Sequence, residues 1–246
     1  MRLTDKVYLV GSGLLGLGLS HALDCHVYLV HGQNEMALID AGVGLEPERI
    51  LENILADGLD VGKLKYVFLT HAHADHAGAC RFWRESLHVS VSASPEAADF
   101  VRRGDEGGIS LGAAKAAGIY PPDYRFQECA VDRELREGDV CRVGDCELRV
   151  LETPGHCCGS LSYIMNSSDK TYLFSGDSIF HGGKILMTNV WDCDCQQYIR
   201  TVKKLANLSV DALLPGHFCI SLGGGQAHIE KGSESLRRMA IPPNIL

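Results

Sequence analysis

The chain has 246 residues, of which 46% are apolar and 22% charged, the profile of a globular protein with enough interior for a sizeable core. A formal net charge of −8, with no run of Lys and Arg, argues against nucleic acid as the main substrate, since binding it calls for a basic footprint. The ten cysteines are read as reduced thiols of a cytosolic protein, because a chain of this length builds its own core without disulfide staples.

Residues 7–19 follow Arg2 and Lys6 and loosely mimic a signal peptide, but Gly11, Gly13, Gly16 and Gly18 interrupt them and no small-x-small cleavage site follows. No run of 18 apolar residues exists elsewhere, so no membrane span is expected and a cytoplasmic location is. Gly11-Ser12-Gly13-Leu14-Leu15-Gly16 matches the dinucleotide fingerprint G-x-G-x-x-G after a strand-like segment at 6–10. That fingerprint requires an acidic residue at the end of the second strand, and His31-Gly32-Gln33 stands there instead. Residues 25–31 and 36–40 read as a β-hairpin, and the glycines as a loop between two strands.

Residues 46–57 have helical periodicity, with Ile50, Leu51, Ile54 and Leu55 on one side. A strand at 65–70 runs directly into His71; a helix at 77–86, a strand at 88–91 and a helix at 95–102 follow. Residues 104–122, rich in glycine and small side chains, fit a mobile loop or short helix and are a candidate lid. Further strands are expected at 140–143, 146–152, 160–165 and 171–175, the last two joined by an Asn-Ser-Ser-Asp turn. A helix at 197–205 and a strand at 212–214 complete the pattern, which suggests two packed sheets flanked by helices in one domain covering 1–246.

The chemistry concentrates in Thr70-His71-Ala72-His73-Ala74-Asp75-His76-Ala77-Gly78. Three histidines and an aspartate within six residues, spaced by alanines just after a strand, have little structural rationale, whereas imidazole and carboxylate are natural zinc ligands. Asp40, His156, Asp177 and His217 each lie just past a mainly apolar run with a glycine within two residues. Side chains at strand ends converge on one edge of a sheet, where sites of layered folds are built.

His71-x-His73-x-Asp75-His76 resembles the signature of the metallo-β-lactamase superfamily, and Asp40, His156, Asp177 and His217 match its remaining motifs in order. The resemblance implies an α+β fold, an αββα sandwich of two packed mixed β-sheets flanked by helices. It implies two divalent ions, zinc foremost with manganese or iron open, one held by His71, His73 and His156 and the other by Asp75, His76 and His217. Asp177 would bridge them, Asp75 would steer the proton of the attacking water, and Asp40 would orient the metal-binding loop without ligating. The implied enzyme is a hydrolase using a metal-bridging hydroxide to cleave a small ester-type substrate, a thioester or lactone.

Asp177 argues against β-lactam hydrolysis, because true β-lactamases of this fold lack a bridging carboxylate there. The segments around His156 and Asp177 look most like glyoxalase II and its relatives. Only about 29 residues follow His217, fewer than a glutathione-binding helical domain needs, so glutathione thioesters are not the expected substrate. A mononuclear-iron sulfur dioxygenase and a phosphodiester hydrolase stay open as alternatives. Cys157 and Cys158 are read as small buried residues, Trp191 as pocket wall or packing, and His228 as a surface residue in a flexible segment. The expected partner is a small molecule, neither nucleic acid nor membrane, with a homodimer as the assembly to test.

Overall fold

The short apolar runs become strands in the computed structural model, which describes residues 1–168 and 170–245. The chain divides into two units: 1–135 with the hairpin tip 143–145, and 136–142 with everything from Cys146 onward. Each carries its own mixed sheet.

In the first unit the strands are β1 (Val7–Gly11), β2 (Val27–Gly32), β3 (Glu35–Ile39), β4 (Leu64–Phe68), β5 (Ser90–Ala93) and β6 (Arg133–Glu134), hydrogen-bonded in that order. β1, β2 and β3 are antiparallel, whereas β3 to β6 run parallel. An antiparallel β1–β2 pair excludes a dinucleotide fold, whose first two strands are parallel and joined by a helix. Gly13, Gly16 and Gly18 lie in the loop between these strands, while Gly11 ends β1. Gly13 has no room for a side chain there, since a Cβ would lie 2.4 Å from Ala22 O. The hairpin turns at Gln33, which takes a left-handed φ of 63°.

Parallel strands need crossovers, and α1 (Pro47–Ala56), α2 (Ala74–Ala77), α3 (Cys80–Leu87) and α4 (Pro95–Arg103) supply them. Pro47 at the first turn suits helix initiation, and Ile50 and Ile54 are fully buried while Leu55 faces solvent, so the apolar stripe is narrower than its sequence suggests. α5 (Leu111–Ala116) lies in the glycine-rich stretch read as a mobile loop or short helix, and is that short helix. That stretch is anchored: Ile109, Leu111, Tyr120 and Tyr124 are all buried in the unit's core, and the Tyr124 hydroxyl donates to Val43 O at 2.8 Å.

The second unit contains β7 (Val140–Val143), β8 (Cys146–Glu152), β9 (Leu161–Asn166), β10 (Thr171–Gly176) and β11 (Ala212–Pro215), in the spatial order β11-β10-β9-β8-β7. β8, β9 and β10 are antiparallel neighbours and β10 pairs with β11 in parallel, through the crossover helix α6 (Cys195–Leu205). The turn between β9 and β10 includes Asp169, which lies outside the described residues. α7 (Gly225–Arg237) packs against β11 and α6. Residues around His228, read from sequence as flexible, are therefore helical. Their apolar signal is weak because two of the buried face positions are Gly232 and Ser233.

None of the ten cysteines forms a disulfide among the described residues. No helix among them is long and apolar enough to cross a membrane.

Candidate functional site

The sequence-predicted site residues fall into two groups, one in each unit. In the first, β4 ends at Phe68 and the chain turns through Leu69 and Thr70 into the histidine loop, with α2 beginning at Ala74. The His71 ring centroid lies 4.0 Å from that of His76 and 4.7 Å from that of His73. His76 Nε2 stands 3.5 Å from Asp75 Oδ2.

Asp40 organises this loop from the end of β3. It adopts a left-handed φ of 63°, a conformation that aspartate tolerates better than most residues. Its Oδ1 accepts from Thr70 N at 2.7 Å, and its Oδ2 accepts from the Thr70 hydroxyl at 2.8 Å. His76 Nδ1 lies 2.8 Å from the same Oδ2 and donates to it, a carboxylate being an acceptor. The tautomer of His71 follows. Thr70 has one hydroxyl proton and gives it to Asp40, so at 3.0 Å its oxygen accepts from His71 Nδ1. Asp40 thereby keeps the ring proton on Nδ1 of both imidazoles, one directly and one through Thr70, which puts the lone pair of each on Nε2.

Asp75 is fixed separately. The Tyr120 hydroxyl donates to its Oδ1 at 3.0 Å, and Cys25 N donates to its backbone carbonyl at 3.3 Å. Burial and the Asp75 charge push the Tyr120 phenol well above its ordinary pKa, so it remains a donor. Nothing in the sequence points to Tyr120, which lies 45 residues away in the candidate lid.

In the second unit His156 follows β8, Asp177 follows β10 and His217 follows β11. Asp177 Oδ2 lies 3.6 Å from both His156 Nε2 and His217 Nε2. These separations exceed a hydrogen bond. They approach the roughly 3.3 Å between two donors on one tetrahedral zinc-like ion with bonds of about 2 Å. His156 Nδ1 donates to Leu186 O at 2.9 Å, which again leaves Nε2 as the lone-pair nitrogen. Tyr198 of α6, fully buried, donates to Asp177 O at 2.6 Å and lies 3.1 Å from Leu186 O, bracing the Asp177 and His156 segments together. Gly155, at a φ of 145°, allows this approach, since a Cβ there would come within 2.6 Å of the Tyr198 ring. The donor set of each group therefore suits a divalent metal: imidazoles, with the tautomer fixed at His71, His76 and His156, and carboxylates at about ligand-edge distances.

Other candidates resolve into supporting roles. Cys157 is buried with its thiol pushed well above the ordinary range by desolvation, so it is no thiolate nucleophile, while Cys158 is half-buried. Asp194 caps α6, accepting from Gln196 N and Gln197 N at 2.7 and 3.0 Å. Trp191 is 64% exposed, which rules out core packing for it.

Residues 22–217 match the family model described as the metallo-beta-lactamase superfamily. An acyl-coenzyme A thioesterase, MBLAC2 of Gallus gallus, is 33% identical over 210 residues, covering 78% of this chain and 72% of the relative. A hydroxyacylglutathione hydrolase of Chelativorans sp. is 29% identical over 178 residues, covering 72% of this chain and 55% of its own length. Among solved structures, BJP-1, a subclass B3 metallo-beta-lactamase of Bradyrhizobium japonicum, matches with a TM-score of 0.73 at 23% identity, over 97% of this chain and 92% of that one.

Proposed function

Because this chain belongs to the metallo-beta-lactamase superfamily of hydrolases, we propose that it is a dinuclear metal-dependent thioesterase acting on a small acyl thioester of the acyl-coenzyme A class. On this reading the two groups of ligands serve one centre in one catalytic domain, consistent with a family match that spans both units. His71, His73 and His156 would hold one ion, Asp75, His76 and His217 the other, with Asp177 shared between them. When bound, the ions, zinc foremost, supply a water acidic enough to attack at neutral pH and an electrophile for the substrate carbonyl.

The observation that carries the proposal is the position of Asp177, whose one carboxylate oxygen stands equally far from His156 and His217, imidazoles that the family motif assigns to different ions. The protein's own groups then have defined tasks. Asp40 and Thr70 keep His71 and His76 in the ligating tautomer. Asp75, its Oδ1 held by Tyr120, would orient the attacking water by accepting a hydrogen bond from it. No group in the ligand set is spare to act as a general acid, and a thioester needs none, because a thiol of pKa about 8.5 leaves readily as the thiolate. The relative named as an acyl-coenzyme A thioesterase supports the same bond class.

The test is elemental analysis of the purified protein and of Asp177→Ala, together with thiol release from acyl-coenzyme A substrates. Near two equivalents of zinc or manganese with thioester cleavage is expected, and both fall in the variant. One equivalent of iron with persulfide oxidation, or cleavage of phosphodiesters in place of thioesters, would overturn the proposal.

A further inference from the structure

His228 lies on the first turns of α7, eleven residues beyond His217 and outside every ligand motif. Its Nδ1 lies 3.1 Å from Gly182 N, and its Nε2 lies 2.8 Å from Ser221 Oγ. A backbone N–H only donates, so Nδ1 must carry the lone pair; the neutral ring then bears its proton on Nε2 and donates to Ser221. Both nitrogens are engaged, and they reach two different loops.

Each loop carries a proposed ligand. Gly182 belongs to the tight turn that follows Asp177, where Gly183 N donates to Phe180 O and Phe180 N to Lys184 O. This turn rests directly on α7: a Cβ at Gly183, whose φ is 75°, would lie 2.3 Å from Gly232 N and 2.7 Å from His228 O. Ser221 closes the loop that carries His217. Its N–H and C=O pair with Leu213 on β11, and Phe218 between them is held at a left-handed φ of 65°. A loop containing a non-glycine residue in that region is strained and persists only where its surroundings hold it.

We infer that His228 is a positioning residue that ties the Asp177 loop to the His217 loop through Gly182 N–H and Ser221 Oγ. The inference rests on the reading of Asp177 and His217 as metal ligands. It adds that their relative placement is set by one neutral imidazole on α7. Burial above all, with His181, whose ring centroid is 4.0 Å away, and Lys231 adding to it, holds His228 below its ordinary pKa and favours the neutral ring.

The experiment compares wild type, His228→Ala and His228→Asn by amide hydrogen exchange and by metal affinity in chelator competition. In His228→Ala, exchange should rise in both 178–184 and 217–221 while the β8–β10 strands keep their protection. Affinity for the more weakly held ion should fall roughly ten- to a hundred-fold, as for other groups that orient ligands. Asparagine places an acceptor near the Nδ1 position but does not reach Ser221. His228→Asn should therefore loosen 217–221 alone and keep more metal than the alanine variant, a division that general destabilisation would not produce. Equal exchange in wild type and variants, or identical loosening of both loops in the two variants, would overturn the inference. Loosening in the predicted pattern in a protein that binds no metal would instead sink the ligand reading and leave the tie between the loops standing.

Discussion

At the scale of single residues, the candidate site is organised by hydrogen-bond accounting. Asp40 accepts three bonds, two from Thr70 and one from His76, and through Thr70 it also sets His71. Replacing it by asparagine keeps the left-handed backbone comfortable, because both residues tolerate that region, but substitutes an amide N–H₂ for one acceptor. Asp40→Asn is expected to lower metal affinity about ten- to a hundred-fold and, because its N–H₂ then faces a buried donor, to destabilise the metal-free protein by on the order of 1–3 kcal/mol. Chelator competition and denaturant unfolding of the same preparation would check both parts. His228 provides a pH signature. Its folded pKa is lowered, so below about 6.5 the unfolded chain holds the extra proton that the native ring refuses. Its contribution to stability is complete above that value and is lost as pH falls through the lowered native pKa. The acid limb of a stability-versus-pH curve should accordingly be shallower in His228→Asn than in wild type.

At the scale of elements, the segment 104–124 is the instructive case. Its glycines and small residues suggest a lid, yet four buried side chains and two tyrosine hydroxyls fasten it to the first unit's core. One of those hydroxyls holds Asp75, so the segment positions a site residue by being packed. Tyr120→Phe keeps the buried ring and removes only the donor. It should cost on the order of 1–3 kcal/mol, the range for a buried bond to a charged acceptor, and slow thioester turnover while leaving metal stoichiometry unchanged. Unchanged turnover in that variant would mean that Asp75 does not need the phenol. α7 is the other element that pattern reading passes over. Its buried face includes Ile229, Gly232 and Ser233, so the apolar repeat that announces most helices is half missing. Gly232 is what lets the Gly182–Gly183 turn approach, since a Cβ there would lie 3.1 Å from Gly183 O.

At the scale of the whole molecule, the proposal of one catalytic domain makes a thermal prediction. Ligands drawn from both units to shared ions should couple their unfolding, giving one calorimetric transition in the metal-loaded protein. Chelation should lower its midpoint, because an ion bound only to the native state stabilises by about RT ln(1 + [L]/Kd). Two well-separated transitions in the loaded protein would contradict the single-domain proposal. The charge of −8 and the lack of a basic run remain the basis for expecting a small-molecule substrate.

Much of this was written in the order of residues. The histidine cluster, the strand-end positions of Asp40, His156, Asp177 and His217, and the hairpin at 25–40 follow from ligand chemistry and local periodicity, which act over a few residues. The strands at 140–143 and 146–152 follow likewise, with bounds that the structure reproduces. The tertiary structure alone decided that Nδ1 of His71, His76 and His156 carries the ring proton, that Tyr120 holds Asp75, that Tyr198 braces Asp177 and that His228 joins two loops. Thr70 and His76 reach Asp40 across 30 and 36 residues, Tyr120 reaches Asp75 across 45, and His228 reaches Gly182 across 46. No periodicity encodes such pairings. They exist because packing brings buried donors and acceptors face to face, where each must find a partner or cost the fold the energy of leaving it unsatisfied.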